Sequence, residues 1–347
     1  MGEKDAKPGR IASLDQLRGY TVLGMFLVNF VGGFLAIEST LPILKHHHTY
    51  FSYADTIMPQ FFFAVGFAYR LTFLRRLERE GAWAASLHIL RRCLGLILLG
   101  LVVYHLGGGA KSWAELRQLD GWDFLKAFKG SPFQTLTHIG VTSLWALPVI
   151  AARPAVRIAF ACFSGLLHIY LSAGLSGWPF HIPWNYYEWV NADPKGIDGG
   201  PLGFLTWTIP LLVGSLAYDL VAAARQQAPV GRLLTWGAVL MLLGYALSCL
   251  NLMTPPNTAG AEVRSWLIEP PFVPPSRPVN LWSMSQRSGS VSYLTFAAGF
   301  ALAVYALFVL ACDRGRLRVG LFATLGSNAL AAYLIHDLVG DAIKPYA

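Results

Sequence analysis

Tyr53-Ala-Asp-Thr-Ile-Met-Pro-Gln-Phe-Phe-Phe-Ala-Val-Gly66 opens a segment, 53–74, in which Asp55 and Arg70 are the only charged residues. A helix needs about 20 mostly apolar residues to cross a bilayer. Pro59 and Gly66 would weaken a soluble helix but are tolerated in a spanning one. Just upstream, the loop Lys45-His-His-His48 joins this segment to another apolar one at 19–37. Seven more follow, near 87–106, 132–151, 155–175, 202–223, 231–252, 290–312 and 319–340. The pattern predicts nine spans and an all-α, polytopic membrane helix bundle, with 1–347 as one domain.

Composition agrees. Of the 347 residues, 54% are hydrophobic and only 13% charged, whereas soluble domains carry about a quarter charged residues. The net charge of +8 does not point to nucleic acid, because the basic residues gather at segment ends, where they set topology. Cys93, Cys162, Cys249 and Cys312 lie in or beside apolar segments without CxxC spacing. That argues against a disulfide framework or a zinc ribbon, and no metal is expected. The polar, basic start lacks a short apolar core with a small-residue cleavage site. The first apolar segment therefore reads as a start-transfer helix rather than a signal peptide.

With the N-terminus inside, 17 of the 27 Lys and Arg fall on the inner side, in the shorter loops, and 10 outside. This predicts a cytoplasmic N-terminus, taken here as in a bacterial inner membrane. The longer connections then lie outside. Trp113 to Lys129 has the spacing of an interfacial amphipathic helix. Phe180 to Gly200 is aromatic and turn-rich, with Trp184, Tyr186, Tyr187 and Trp189, and Asn257 to Ser288 is Pro-rich. The last segment runs almost to Ala347, which is read as a further returning helix beyond the sequence or, alternatively, as an outer C-terminus.

Under this topology His46, His47, His48, His105, His138, His168, His181 and His336 share the outer half, with His88 the exception. A single histidine in a membrane helix is most often a hydrogen-bonded packing residue. Convergence on one side favours a site, since ionisable groups in spans are costly. Imidazoles near helix ends suit proton transfer, acyl transfer or metal binding. Asp55 begins the second span, where it would orient a histidine or partner the helix dipole. Asn29 would offer an amide to an oxyanion or bond a neighbouring helix. Arg18, with Asp15 three residues before it, would anchor the helix end or, with Arg70, Arg75 and Arg76, form a cationic mouth for a phosphate-rich donor. Asn328 and His336 lie on roughly one face of the last span. Gly-rich phosphate loops, HExxH, Gly-x-Ser-x-Gly and paired carboxylates are absent from the sequence.

In chain order, Ser13-Leu-Asp-Gln-Leu-Arg-Gly19, Val28-Asn29 with Gly32-Gly33, Leu44-Lys45-His46, Ala54-Asp55 with Pro59 and Gly66, Asp193-Pro-Lys-Gly196, and Leu325-Gly-Ser-Asn328-Ala with His336 resemble the signature of the heparan-α-glucosaminide N-acetyltransferase family. The resemblance implies a multi-helix membrane acyltransferase that moves acetyl from cytosolic acetyl-CoA to a sugar amine across the membrane. It also implies that Asn29 and a histidine of the Lys45-His46 element hold the catalytic positions, with His47 the alternative to His46.

The expectation is therefore His46 as general base, Asp55 orienting it and Asn29 stabilising the oxyanion. An acyl-histidine route stays open. Arg18, Arg70 and Asn328 are assigned to the acetyl-CoA donor, and His336 and Trp184 to the carbohydrate-like acceptor. The bilayer is the other partner, and a homodimer is allowed for. The alternatives are a proton-coupled small-molecule transporter and an inactive membrane scaffold.

Overall fold

Proline, glycine and polar caps cut the apolar runs into helices that begin and end off the hydropathy boundaries. The computed structural model describes residues 11–31, 41–47, 49–105, 112–117, 132–172, 197–224, 229–253, 267–276 and 280–343. Every regular element among the described residues is helical. These are α1 (Ala12–Val31), α2 (Tyr53–His105), α3 (Trp113–Arg117), α4 (Thr135–Ala146) and α5 (Pro154–Ser172). Then come α6 (Gly203–Ala223), α7 (Val230–Cys249), α8 (Val291–Phe308), α9 (Gly320–Ser327) and α10 (Ala329–Ile343). Short 3-10 turns at Pro42–Leu44, Ile197–Leu202 and Leu250–Met253 sit at the joints.

Among the described residues, five segments are long and apolar enough to cross a membrane: Tyr53–Val103, Pro154–Ser172, Asp198–Ala223, Val230–Leu252 and Val291–Arg314. The first is a folded-back hairpin. Gly81 sits inside it at φ 80° and ψ 170°, a conformation that only glycine adopts cheaply. Both arms then run along α4. Met58 on the first arm meets Thr135, and Gly100 on the second faces Leu136 and Thr137. Deeper in, Tyr69 bonds the Ser143 carbonyl at 3.1 Å while Cys93 packs against Gly140. The arms are antiparallel, so this one helical segment accounts for two of the nine expected.

The remaining segments depart from expectation for local reasons. α1 starts at Ala12, ahead of its apolar stretch, because its first turns have partners. Gln16 clamps both backbone groups of Val319, at 3.1 and 2.9 Å, and Ser13 reaches Asp313 and Tyr305. α4 stops at Ala146 because Pro148 has no N–H to offer and would crowd the Leu144 carbonyl. That carbonyl is taken by Leu147 N–H instead. The last segment is divided at Asn328 into α9 and α10.

The core lies where the first arm of α2 crosses α6 and α8. Phe62, Phe63, Phe67, Trp207, Tyr293 and Tyr305 are all buried there, and Phe62 stacks on Trp207 at 4.7 Å between centroids. Close helix approach is bought by small residues: Gly66 lies on the Leu211 backbone, Gly214 on Phe63, and Gly237 on Gly299. Interfaces between membrane helices favour such residues because they let backbones pack closely. The expected interfacial helix is described only as α3, and most of the aromatic connection, Trp184 included, lies outside the described residues.

Candidate functional site

The site begins as a helix cap. Ser52-Tyr-Ala-Asp55 forms a capping box at the start of α2: Ser52 Oγ accepts from Asp55 N–H (3.4 Å) and Asp55 Oδ2 accepts from Ser52 N–H (3.0 Å). Such reciprocal bonds satisfy two backbone donors that a helix start leaves open. Ser52 Oγ also lies 2.9 Å from both Asp55 Oδ2 and the Lys45 carbonyl, which draws the histidine loop onto the cap. Phe51 completes the anchorage. Its N–H bonds the Pro271 carbonyl at 2.7 Å, and its ring is buried against Phe272, Tyr293, Phe296 and Phe300.

With Oδ2 committed to the cap, Asp55 Oδ1 is left to face His46 Nδ1, at 2.9 Å. The carboxyl is 0% exposed and the imidazole 39%. Gln286 Oε1 lies at the same distance from the same nitrogen. Two oxygen acceptors at Nδ1 place the proton there, so in neutral His46 the basic lone pair is on Nε2. Burial disfavours charge on this ring, but the hydrogen bond and charge of Asp55 outweigh it, with smaller help from Asp198 and Gln286. The pKa is therefore held above the ordinary histidine value.

His47 is used differently. Its Nε2 bonds the Pro42 carbonyl at 2.6 Å and its ring stacks on Tyr50 at 4.3 Å, while its N–H points to Asp55 Oδ2 at 3.4 Å. Of the two candidate imidazoles, His46 is the one paired with a carboxylate. His48 lies outside the described residues.

Two residues that sequence reasoning missed complete the cluster. Gln286 Nε2 donates to Asp198 Oδ1 at 3.3 Å, and Asp198 is buried. The Asp198 turn is pinned by Trp207 Nε1–H on its carbonyl (2.9 Å) and by Gly199 N–H on the Arg287 carbonyl (2.8 Å). The signals were present: a lone acid in Asp198-Gly-Gly-Pro201 ahead of an apolar segment, and a Ser-rich stretch from Ser283 to Ser290 around Gln286.

The other expected residues are distributed elsewhere. Asn29 is exposed and pairs with His336, Nδ2 to Nε2, at 2.9 Å; Phe26 and Phe30 meet the same imidazole edge-on. Asn328 donates to Thr324 C=O and to Ser327, so its amide bonds locally at the α9–α10 break. Arg70 is buried and bonded to Asp219 and to the Ile150 carbonyl, with Arg157 on the same carboxylate. It belongs to a packed ion cluster rather than to an open mouth. Arg18 does reach open space. With Arg92 it lines a cavity of about 300 Å³ that extends past Phe61 and Leu99 to Thr135, a volume at the low end for small-molecule sites. Histidines His138 and His168 are buried in α4 and α5, His138 beside Trp207.

The arrangement can do acid–base work at His46 Nε2 and can hold an anion near Arg18 and Arg92. Among the described residues, no group of three or more His, Cys, Asp or Glu is placed to hold a metal ion. Compared with models of known protein families and with curated proteins, the chain matches none.

Proposed function

We propose that this protein is a membrane-embedded acyltransferase that moves an acyl group, with acetyl the reference case, from acyl-CoA to an amine or hydroxyl of a sugar-like acceptor. The observation that carries the reading is the His46–Asp55 pair, a partly exposed imidazole fixed through Nδ1 on a fully buried carboxylate. His46 Nε2 takes the proton of the acceptor N–H or O–H as it attacks the thioester carbonyl. The tetrahedral intermediate collapses with cleavage of the C–S bond, and the imidazolium returns the proton to the thiolate. The products are the acylated acceptor and free CoA. General-base assistance of this kind contributes 10²–10⁴-fold.

The assignment of Asn29 to the developing oxyanion draws its support from the family resemblance, since its amide meets His336 rather than His46. Arg18 and Arg92 would meet donor phosphates, since guanidinium groups bind phosphate bidentately. Their cavity would admit the thioester arm toward Thr135. The excess of Lys and Arg on the N-terminal side supports a cytoplasmic N-terminus and acceptor access from the far side.

A second reading, a proton-coupled carrier, draws support from Asp198, a second buried carboxylate reached from His46 through Gln286. One experiment separates the two. Full-length protein in proteoliposomes is given acetyl-CoA and a panel of amino sugars, and free CoA is measured for wild type, His46→Ala and His47→Ala. Acyl transfer requires acceptor-dependent release that His46→Ala loses and His47→Ala keeps. Equal release from wild type and His46→Ala would end the His46 mechanism. No release with any acceptor, together with proton-driven sugar uptake, would establish the carrier instead.

A further inference from the structure

Asp198 has an unusual backbone for a buried acid. Its φ is +55°, and Gly199 and Gly200 follow at +82° and +53°. Aspartate tolerates the left-handed region better than most residues, yet a non-glycine residue held there inside a protein is a common mark of a functional site. An aspartate just ahead of a helix would ordinarily cap it. Here the N-cap of α6 is Leu202, with no side-chain cap bond, and the Asp198 carboxylate is directed at Gln286.

The turn is also built into the opposite loop. Gly199 N–H bonds the Arg287 carbonyl, and Gly199 lies so close to Gly289, itself at φ +58°, that a methyl on either would touch the other's backbone. The Ser283–Ser290 loop is closed by its own bonds, Ser290 N–H to Ser285 O at 3.1 Å and Gly289 N–H to Gln286 O at 2.9 Å. Gln286 thus has little freedom, and its amide spans from His46 Nδ1 to Asp198 Oδ1.

We infer that Asp198 and Gln286 are positioning residues for His46, forming a relay in which the Gln286 amide transmits the charge of Asp198 to the imidazole. Asp55 fixes the ring, and the relay stabilises the imidazolium that forms when Nε2 takes a proton. The inference deepens the acyl-transfer reading, because it assigns the groups that support its base. Among the described residues, the other titratable and charged groups on the elements packed against this ring are Asp55 on α2, Tyr293 on α8, whose hydroxyl donates to the Asp55 carbonyl, Arg287 beside Gln286, and Lys45, His47 and Tyr50 in the ring's own loop.

The test does not depend on activity. Full-length protein with isotopically labelled histidine is titrated by NMR, with His46 assigned from the signal missing in His46→Ala. Asp198→Asn and Gln286→Met should each lower the His46 midpoint by about half a unit to one unit, as expected for losing a charge or a charge-linked bond at this range. Gln286→Glu, which puts a carboxylate directly against Nδ1, should raise it. Asp198→Glu should leave it near wild type. An unchanged midpoint in folded Asp198→Asn would overturn the relay, as would an upward shift. Should Asp198→Asn not fold, the opposed shifts of Gln286→Met and Gln286→Glu decide, and a shared direction would overturn it. Because the readout is a titration, the relay stands or falls separately from CoA release.

Discussion

The acid–base clusters at His46 and at Arg157 are built the opposite way round. At His46 the carboxylate is sealed, 0% exposed, and the base is 39% exposed. At Arg157 the base is sealed, 0% exposed, and its carboxylate, Asp219, is 27% exposed. Fifteen residues of the first arm of α2, from Asp55 to Arg70, separate them, about 22 Å of helix. In the first cluster a buried anion holds a titratable group with one face open, so the exposed member is the one able to exchange a proton. In the second, two guanidinium groups, Arg70 and Arg157, converge on the one carboxylate of Asp219. One arrangement suits chemistry and the other suits holding α2, α5 and α6 together.

Removing the reactive member of each cluster should therefore break different things. His46→Ala should cut acceptor-dependent CoA release 10²–10⁴-fold, while the unfolding midpoint in detergent moves little, because the Asp55 carboxylate keeps its bonds from the Ser52 hydroxyl and the Ser52 and His47 N–H groups. A collapse of folding alongside activity would erase the distinction. The mirror substitution is Asp219→Ala, which leaves the Arg157 guanidinium buried opposite Arg70 without its carboxylate. Breaking a buried pair in this way costs about 3–5 kcal/mol, read as a large drop in the midpoint of unfolding by SDS. Near-wild-type stability would show that Arg157 finds other partners and that the cluster is not structural.

A pH series sharpens the contrast. The His46 pKa is raised in the folded state, so the pair with Asp55 adds stability below the unfolded histidine value, about 6.5. That contribution is lost as pH rises through the higher folded value. The rate runs the other way, because the base must be neutral to accept a proton. Stability should fall and CoA release should rise over one window above about pH 6.5, and Asp55→Asn should move both midpoints down. A rate that falls with pH across that window would contradict His46 as base. Arg70→Lys, in the other cluster, should leave the midpoint of the rate profile in place.

The two clusters were unequally legible. His46 and Asp55 are nine residues apart, across a loop and the first turn of a helix, so their meeting followed from local rules and from the capping pattern Ser52-x-x-Asp55. Gln286 lies 240 residues from His46, and only the packing of α8 against α2 brings them together. Arg70 was read as part of a cationic mouth because a basic residue near a segment end looks like a topology signal. The corrective clue was Asp219, the one acid in the apolar 202–223 stretch, which needs a cation when buried. The helix boundaries were hard to read for a similar reason. Hydropathy marks apolar stretches, but Pro148, Asn328 and the partners of Gln16 decided where helices stop and start.

The smallest expected effect probes whether the first cluster is both cap and site. Ser52→Ala removes the hydroxyl that accepts from Asp55 N–H and lies on the Lys45 carbonyl, which should cost about 1 kcal/mol, as N-cap losses do. Ser52→Gly, whose backbone suits a cap position, should cost only a few tenths. If Ser52 serves only the helix, activity should follow stability through this pair, with Gly closer to wild type. If the hydroxyl also holds the histidine loop through Lys45, both variants should lose the same several-fold in CoA release whatever their stability. The second outcome is expected, because Asp55 still has Oδ1 for His46 in either variant, but the loop that presents the ring has lost its tie to the helix.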